Sequence, residues 1–406
     1  MTLPMHKPGV DPALIVILAG VSAALHVGKL PAALPALRAA MDISLLQAGF
    51  LLSLVQLAGM TLGLATGLAA DSMGLRRSMM TGLLILAVAG ALGGLAHDAT
   101  SLLCLRALEG FGVLLASMPA PSLIRRLVPP ERLPSMLGMW GAYMPLGTSL
   151  ALLAGPLVIA SSSWQVWWWL IAGLSLCMAI WLLAVPSDPT AKASYPIPGD
   201  DVGSSWRRRM KLTLSSRGPW VVALTFAMYS GQWLAVVGFL PSIYAQAGLS
   251  GATTGVLTAM AAAVNMIGNI SAGRLLQRGY LPSSLLTTGF AAMSTGAFVA
   301  FAWTGSYAIP PALRYVAVLM FSMVGGMIPG TLFSLAVRFA PNERTVSTTV
   351  GWMQQCSAVG QFAGPPLVAW VATRAGGWEW TWVVTSVCSA CGMFLASKIR
   401  RMMRDH

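Results

Sequence analysis

Two stretches of this chain, 133–187 and 218–273, contain no Asp, Glu, Lys or Arg. One helical crossing of a bilayer takes about 20 apolar residues, so each stretch has room for two crossings. Charge is sparse elsewhere as well. Ionisable side chains make up 9% of the 406 residues while 56% are hydrophobic, against roughly a quarter charged in a soluble domain. These proportions exclude a cytosolic enzyme, a disordered chain, collagen and a secreted disulfide scaffold. The five cysteines lie in apolar runs and read as small core residues. Cys388 and Cys391 have CxxC spacing, but no βαβ pattern or second ligand pair accompanies them, so neither metal nor cofactor is expected.

Apolar runs bounded by charge, Pro and Gly predict twelve spans, at 13–34, 45–70, 78–96, 101–128, 133–160, 164–185, 219–246, 252–275, 281–303, 311–338, 345–373 and 378–399. Nothing before Ala13 reads as a cleavable leader, because the first apolar run is already of span length. Lys and Arg fix the direction, since cytoplasmic loops retain them. With the N-terminus inside, 20 of the 25 fall on the inner side, whereas only Arg38, Arg314 and Arg374 fall outside. Both termini are then expected in the cytoplasm, and the protein in the plasma membrane of a bacterium. The net charge of +13 has a topological origin. Nucleic acid is not an expected partner; the bilayer is, with Arg207, Arg208 and Arg209 meeting anionic headgroups.

The segment Arg126-Leu-Val-Pro129-Pro-Glu131-Arg132 recurs as Arg338-Phe-Ala-Pro341-Asn-Glu343-Arg344, and Ala154-Gly155-Pro156 is echoed by Ala363-Gly364-Pro365. Chance is the competing account, since Gly and Pro are common in such helices. Duplication gives two halves of the same orientation, with a bundle at 1–186, a linker at 187–217 rich in Pro, Ser, Asp and Arg, and a bundle at 218–406. Two parallel six-helix halves around a midplane site are the layout of an alternating-access carrier.

Gly67-Leu-Ala-Ala-Asp71-Ser-Met-Gly74-Leu-Arg76-Arg77 resembles the GxxxDxxGxRR signature of the major facilitator superfamily, and Arg106-Ala-Leu-Glu109-Gly110-Phe-Gly112 resembles its RxxxGxG motif. His26 to Pro35 and Trp140-Gly-Ala-Tyr143-Met-Pro145-Leu-Gly147 are similar to the branch of cyanate and nitroimidazole permeases. The resemblance implies an all-α membrane protein of twelve transmembrane helices in two pseudo-symmetric six-helix bundles. It also implies a cytoplasmic gate at Gly67, Asp71, Gly74, Arg76 and Arg77, in which the Asp71 carboxylate meets a helix N-terminus and guanidinium groups. A loop of solvated charges is the alternative. The sequence departs from the signature at Ser72, where a basic residue is usual, and at Leu276, where the second half would repeat Asp71. The antiporter motif is present only as Gly155-Pro156. Gly59, Gly63 and Gly67 give the second span a smooth face on which helices can approach and slide.

Each ionisable residue at a helix centre costs about 2.5 to 3.5 kcal/mol on insertion scales, so it must face protein or water. Four qualify: His26, Lys29, Arg106 and Glu109. Lys29 and Arg106 each lie six residues from the outer end of their span, roughly 9 Å deep at 1.5 Å per residue. If the first and fourth spans line the cavity, as the resemblance implies, these cations meet at one level. Arg106 offers a planar fork and Lys29 a compact charge, a combination suited to a small-molecule anion. Glu109 can hold Arg106 when the site is empty or carry a proton, and His26 is the second proton-coupling candidate. The alternatives are an internal ion pair for Arg106 and Glu109, and snorkelling for Lys29.

Gln56, Tyr143, Tyr229, Gln232, Asn265, Asn269, Trp352, Gln354 and Gln355 are polar residues in apolar spans. They are expected to line the substrate site, with helix bridging as the alternative. Trp164, Trp167, Trp168 and Trp169 read as an interfacial belt, and the 24 methionines as adaptable packing. The functional expectation is a monomeric secondary active transporter of a small anion, with symport of protons; export of drugs or metabolites is the alternative. No HExxH, nucleotide loop or Ser-His-Asp set points to an enzyme.

Overall fold

The computed structural model describes residues 10–63, 74–129, 132, 136, 139–186, 202–302, 309–342 and 345–404. Its spanning helices are α1 (Pro12–Met41), α2 (Leu45–Gly63), α3 (Leu75–Gly93), α4 (Ala99–Leu127), α5 (Tyr143–Ser161), α6 (Trp164–Ala184), α7 (Arg217–Gln246), α8 (Gly251–Gln277), α9 (Pro282–Phe301), α10 (Pro311–Arg338), α11 (Val346–Ala375) and α12 (Thr381–Met402). Eleven of these are long and apolar enough to cross a membrane. The other is α11, whose 30 residues include Gln354, Gln355 and Gln361. A linker helix, Val202–Ser215, joins the two sets of six.

Caps set many of the helix ends. Asp11, Ser44, Asp98, Ser163 and Ser250 each accept a hydrogen bond from a first-turn backbone N–H, satisfying donors that have no intrahelical partner. Asp98 lies in a connection, and the Ser101 hydroxyl and amide hold its carboxyl below the usual carboxylate range. At the far end of α11 the chain turns at Gly376, whose φ of 80° suits glycine.

The first helix runs past its expected end at residue 34 to Met41, through Pro31 and Pro35. A proline removes a backbone donor and normally breaks a helix. The carbonyls that lose their donors here are those of Val27 and Pro31, and α1 continues past both; beside them Arg106 donates to the His26 carbonyl and Trp167 Nε1 to that of Lys29. Similar interruptions recur in the two halves. Helix α4 breaks at Met118-Pro119 and α10 at Gly326.

The halves also pack alike internally. Helix α1 lies against α5 where Gly28 meets Thr148 and Gly147 meets Ala24; α7 lies against α11 where Gly231 meets the Gly360 carbonyl. Between the halves, α2 packs on α11, α5 on α8 and α1 on α7. At the end carrying the α1–α2 connection this junction is apolar. Leu30, Leu34 and Leu52 join Ala235, Phe239 and Ala369 in one cluster, and Ala32 and Leu152 join Val237, Ala259 and Ala262 in another.

Candidate functional site

Arg106 and Glu109 stand one helical turn apart on α4, and His26 and Lys29 one turn apart on α1, so each pair shares a face. All four are buried, with Lys29 and His26 fully so and Arg106 and Glu109 1% exposed. The level expected for the two cations is the level at which they meet, and Glu109 lies between them. Lys29 Nζ donates to Glu109 Oε1, and Arg106 Nη1 donates to Oε2 at 2.6 Å. Lys29 is therefore paired inside the bundle rather than reaching for headgroups.

Lys29 Nζ also lies 3.2 Å from His26 Nδ1. An ammonium has no acceptor, so Nδ1 must be the accepting nitrogen and Nε2 carries the proton. His26 Nε2 then donates to Ser175 Oγ at 2.9 Å, and Ser175 lies 3.2 Å from Ser22 Oγ. With His26 neutral, two cations face one carboxylate, a net charge of +1.

Arg106 binds more than Glu109. Its Nη1 donates to the His26 carbonyl of α1 at 2.8 Å and its Nε to the Leu51 carbonyl of α2 at 3.3 Å. Its Nη2 is buried without a partner. One guanidinium thus ties three helices together and keeps a donor free. Such a donor costs about 1–3 kcal/mol or more when left unmet, and it attracts an acceptor.

The orientation of the cluster differs from the expectation of a crevice between halves. His26 and Lys29 face α6 of their own bundle through Ser175 and Trp168, and His26 also packs near Gly90 of α3. Helical spacing fixed their depth, whereas a helix buried all round carries no polar stripe to fix its rotation.

The tryptophan run is corrected by the same packing. Trp164, Trp167 and Trp168 are buried, and only Trp169 is exposed at 44%. Lys29 Nζ sits 4.8 Å from the Trp168 ring centroid, a cation–π contact. Aromatic side chains at a span end resemble an interfacial belt in sequence; here Trp167 Nε1 donates to the Lys29 carbonyl and Trp164 packs edge-on against Trp168.

The other expected site residues fall into separate groups. Gln56 of α2 donates to Gln361 Oε1 of α11 at 3.0 Å, across the bundle junction. Asn265 donates to the Tyr229 hydroxyl and the Ser322 carbonyl, and Asn269 donates to Asn265 Oδ1. Gln232 accepts from Ser389 and donates to the Met228 carbonyl. Tyr143 stacks on Trp140 at 4.1 Å, and Trp352 lies edge-on to Trp220 at 4.7 Å. Gln355 donates to the Met60 carbonyl, again across the junction. Ser22, Ser175, Ser322, Ser389 and Gln361 had not been singled out. Ser22 lies one turn from His26 and could have been; a serine elsewhere in an apolar helix gives no such signal.

Of the expected gate, Gly67 and Asp71 lie outside the described residues. Gly74 adopts a φ of 89°. Arg76 Nη1 donates to the Val185 carbonyl at 2.6 Å, closing the end of α6, and Arg77 is exposed. A cavity of about 390 Å³ opens at the α1–α2 end, lined in part by Arg38, Ser44, Gln246, Thr373 and Trp378. It holds none of the four buried ionisable residues and is distinct from the cluster.

Sequence comparison identifies relatives. The family model of the Major Facilitator Superfamily matches residues 13–357. Among curated proteins, the chain is 25% identical over 254 residues to cyanate transport protein CynX of Escherichia coli, covering 61% of this chain and 62% of that protein. It is 33% identical over 99 residues to multidrug resistance protein 3 of Bacillus subtilis, covering 24% and 19%. It is 24% identical over 209 residues to a probable small intestine urate exporter of Mus musculus, covering 48% and 42%. The chain thus spans less than two thirds of each of these relatives. Two solved structures share the fold over 95% of this chain and 96% of theirs. A bacterial homologue of the human lysosomal transporter Spinster, inward-facing and occupied, gives a TM-score of 0.77 at 15% identity, and a D-xylose–proton symporter gives 0.75 at 16%. The described helices, the matching fold and the family match lead to one conclusion: the chain belongs to the Major Facilitator Superfamily and is a multi-pass membrane protein.

Proposed function

We propose that the protein moves a small anion, a carboxylate or a cyanate-like species, by alternating access with coupling to protons. The observation that carries this reading is the buried cluster of Lys29, Arg106 and Glu109. Its net charge of +1 and the unpartnered Arg106 Nη2 leave it one negative charge and one acceptor short. In this reading Glu109 acts as an internal anion. Protonation of Glu109 releases both cations to an incoming anion, and loss of the proton returns them. His26, bonded to Lys29 and Ser175, relays that proton. Tyr143, Tyr229, Gln232, Asn265, Gln56 and Trp352 complete the substrate path, and Gly67, Asp71, Gly74, Arg76 and Arg77 form the cytoplasmic gate. The protein works as a monomer in the plasma membrane, with 1–186 and 218–406 as its rocking halves and both termini inside. The identity with the cyanate transport protein supports the same substrate class.

Uptake of radiolabelled cyanate, formate and benzoate into proteoliposomes is the direct test. Lys29→Ala and Arg106→Ala are expected to abolish uptake. Transport retained in both variants would overturn the anion site. Glu109→Gln is expected to keep exchange and lose uptake driven by a pH gradient, whereas His26→Gln showing that split alone would move the proton to His26.

Export of drugs or metabolites is the second reading, favoured by the 33% identity with the multidrug resistance protein over 99 residues. Resistance profiling of a deletion strain decides it. Sensitivity to unrelated uncharged compounds supports export, and an unchanged profile removes it.

A further inference from the structure

Helix α2 is not uniform. Its first part, Leu45–Ser53, is α-helical, and Leu54–Gln56 forms a 3-10 turn before the helix resumes. Such a turn inside a helix often marks a hinge. Neither Pro nor Gly occurs at these three positions to cause it, but the turn is held from both sides. On one side Arg106 Nε donates to the Leu51 carbonyl, and Gly110 of α4 lets its backbone lie directly on the Val55 carbonyl. On the other, Gln56 donates to Gln361 Oε1, and Gln361 donates on to Ser357 Oγ at 3.2 Å.

The turn also sets which face of α2 meets the other bundle. Before it, Gly49 packs on Pro366 and Ala369; after it, Gly59 packs on Ala358 and Gly63 on Gln355. At 100° per residue, an unbroken α-helix would put Gly59 about 80° away from Gly49. Three residues at 120° reduce that to about 20°, so both glycines meet α11. Relaxing the turn to α-helix would rotate everything beyond it by about 60° and shorten it by about 1.5 Å. That rotation would take Gly59 off Ala358.

We propose that the Leu54–Gln56 turn is a two-state element coupling the ionic cluster to the bundle junction, and that Gln56 and Gln361 are its positioning residues. Arg106 holds the tight form while its guanidinium stays on Glu109, His26 and Leu51. A change of partner at Arg106 releases the Leu51 carbonyl, the turn relaxes, and the contact between α2 and α11 is lost. The anion reading supplies the event that changes the partner, so this inference rests on it for its role in transport.

The first test needs no ligand. Spin labels at Ala40→Cys and Leu313→Cys, in a full-length chain with its five cysteines replaced, report the distance between bundles. Arg106→Lys and Glu109→Gln should each shift that distribution; Arg106→Lys keeps the charge and serves if Glu109→Gln does not fold. Gln361→Leu should produce a similar shift, and adding Arg106→Lys should extend it no further. No shift with Arg106→Lys, or shifts that simply add, overturns the proposal.

The second test uses cyanate. Gln361→Leu should change kcat about fivefold or more with KM within about twofold, and Gln361→Asn should restore part of it. Unchanged kcat in Gln361→Leu also overturns the proposal. Failure of the wild type to carry any anion would remove the anion reading and leave the distance result to decide the coupling.

Discussion

Glu109 is the residue on which most of the buried charge depends. It is 1% exposed and meets Lys29 and Arg106 through different oxygens. Removing one partner of a buried ion pair strands the other, at about 3–5 kcal/mol. We expect Glu109→Gln to lower unfolding stability by that amount in a denaturation series on purified protein, and Lys29→Met added to it to restore part of the loss. A Glu109→Gln variant as stable as the parent would contradict the geometry. The Arg106–Glu109 pair was legible in the sequence because three residues on a helix make neighbours, and so was the depth of Lys29. Its partner across α4 was not, because facing positions on two all-apolar helices leave no trace in spacing. Trp168 was hidden for another reason: four tryptophans in six residues at a span end read as an interface.

Among the elements, α2 and α4 touch backbone to backbone at Val55 and Gly110. A methyl group at Gly110 would fall on the Val55 carbonyl, which has no rotamer by which to yield. Gly110→Ala is expected to cost about 1–3 kcal/mol, as overpacking does. Gly173 of α6 has open space around it, so Gly173→Ala should be neutral or gain up to about 1 kcal/mol from the better helix former. The same denaturation assay reads both, and equal effects would refute the packing argument. The positions of the spans were legible because long charge-free runs leave few alternatives. The extent of α1 beyond Pro35 was not, since a proline normally ends a helix, and the tight turn in α2 has no local residue to announce it.

Across the whole molecule, the two bundles meet along α2 and α11 where Gly59 faces Ala358. A Cβ on Gly59 would lie 3.1 Å from that of Ala358, close to the roughly 3.5–4.5 Å of a disulfide. Gly59→Cys with Ala358→Cys, in the cysteine-replaced chain, should cross-link on oxidation, stop turnover and recover with reductant. Turnover that continues after complete cross-linking would show that these helices need not part. Two short echoes led to the expectation of like halves, and across them α1 and α7 are of equal length and α4 and α10 each break late. The difference between the halves was only partly legible: Lys29 and Arg106 place the ionised network in the first, while Gln232–Ser389 and Tyr229–Asn265 give the second neutral contacts.

Under the proposed coupling, Glu109 takes up a proton as a monovalent anion enters, so the cluster holds a surplus of one positive charge both loaded and empty. If it crossed the full field, each 100 mV would weigh about 2.3 kcal/mol on each crossing, with opposite sign for the loaded and the returning step. One proton and one anion then cross with no net charge moved. Anion accumulation in potassium–valinomycin-clamped vesicles should therefore follow an imposed pH gradient and not the imposed voltage. Accumulation that follows the voltage would mean that proton and anion do not cross one for one.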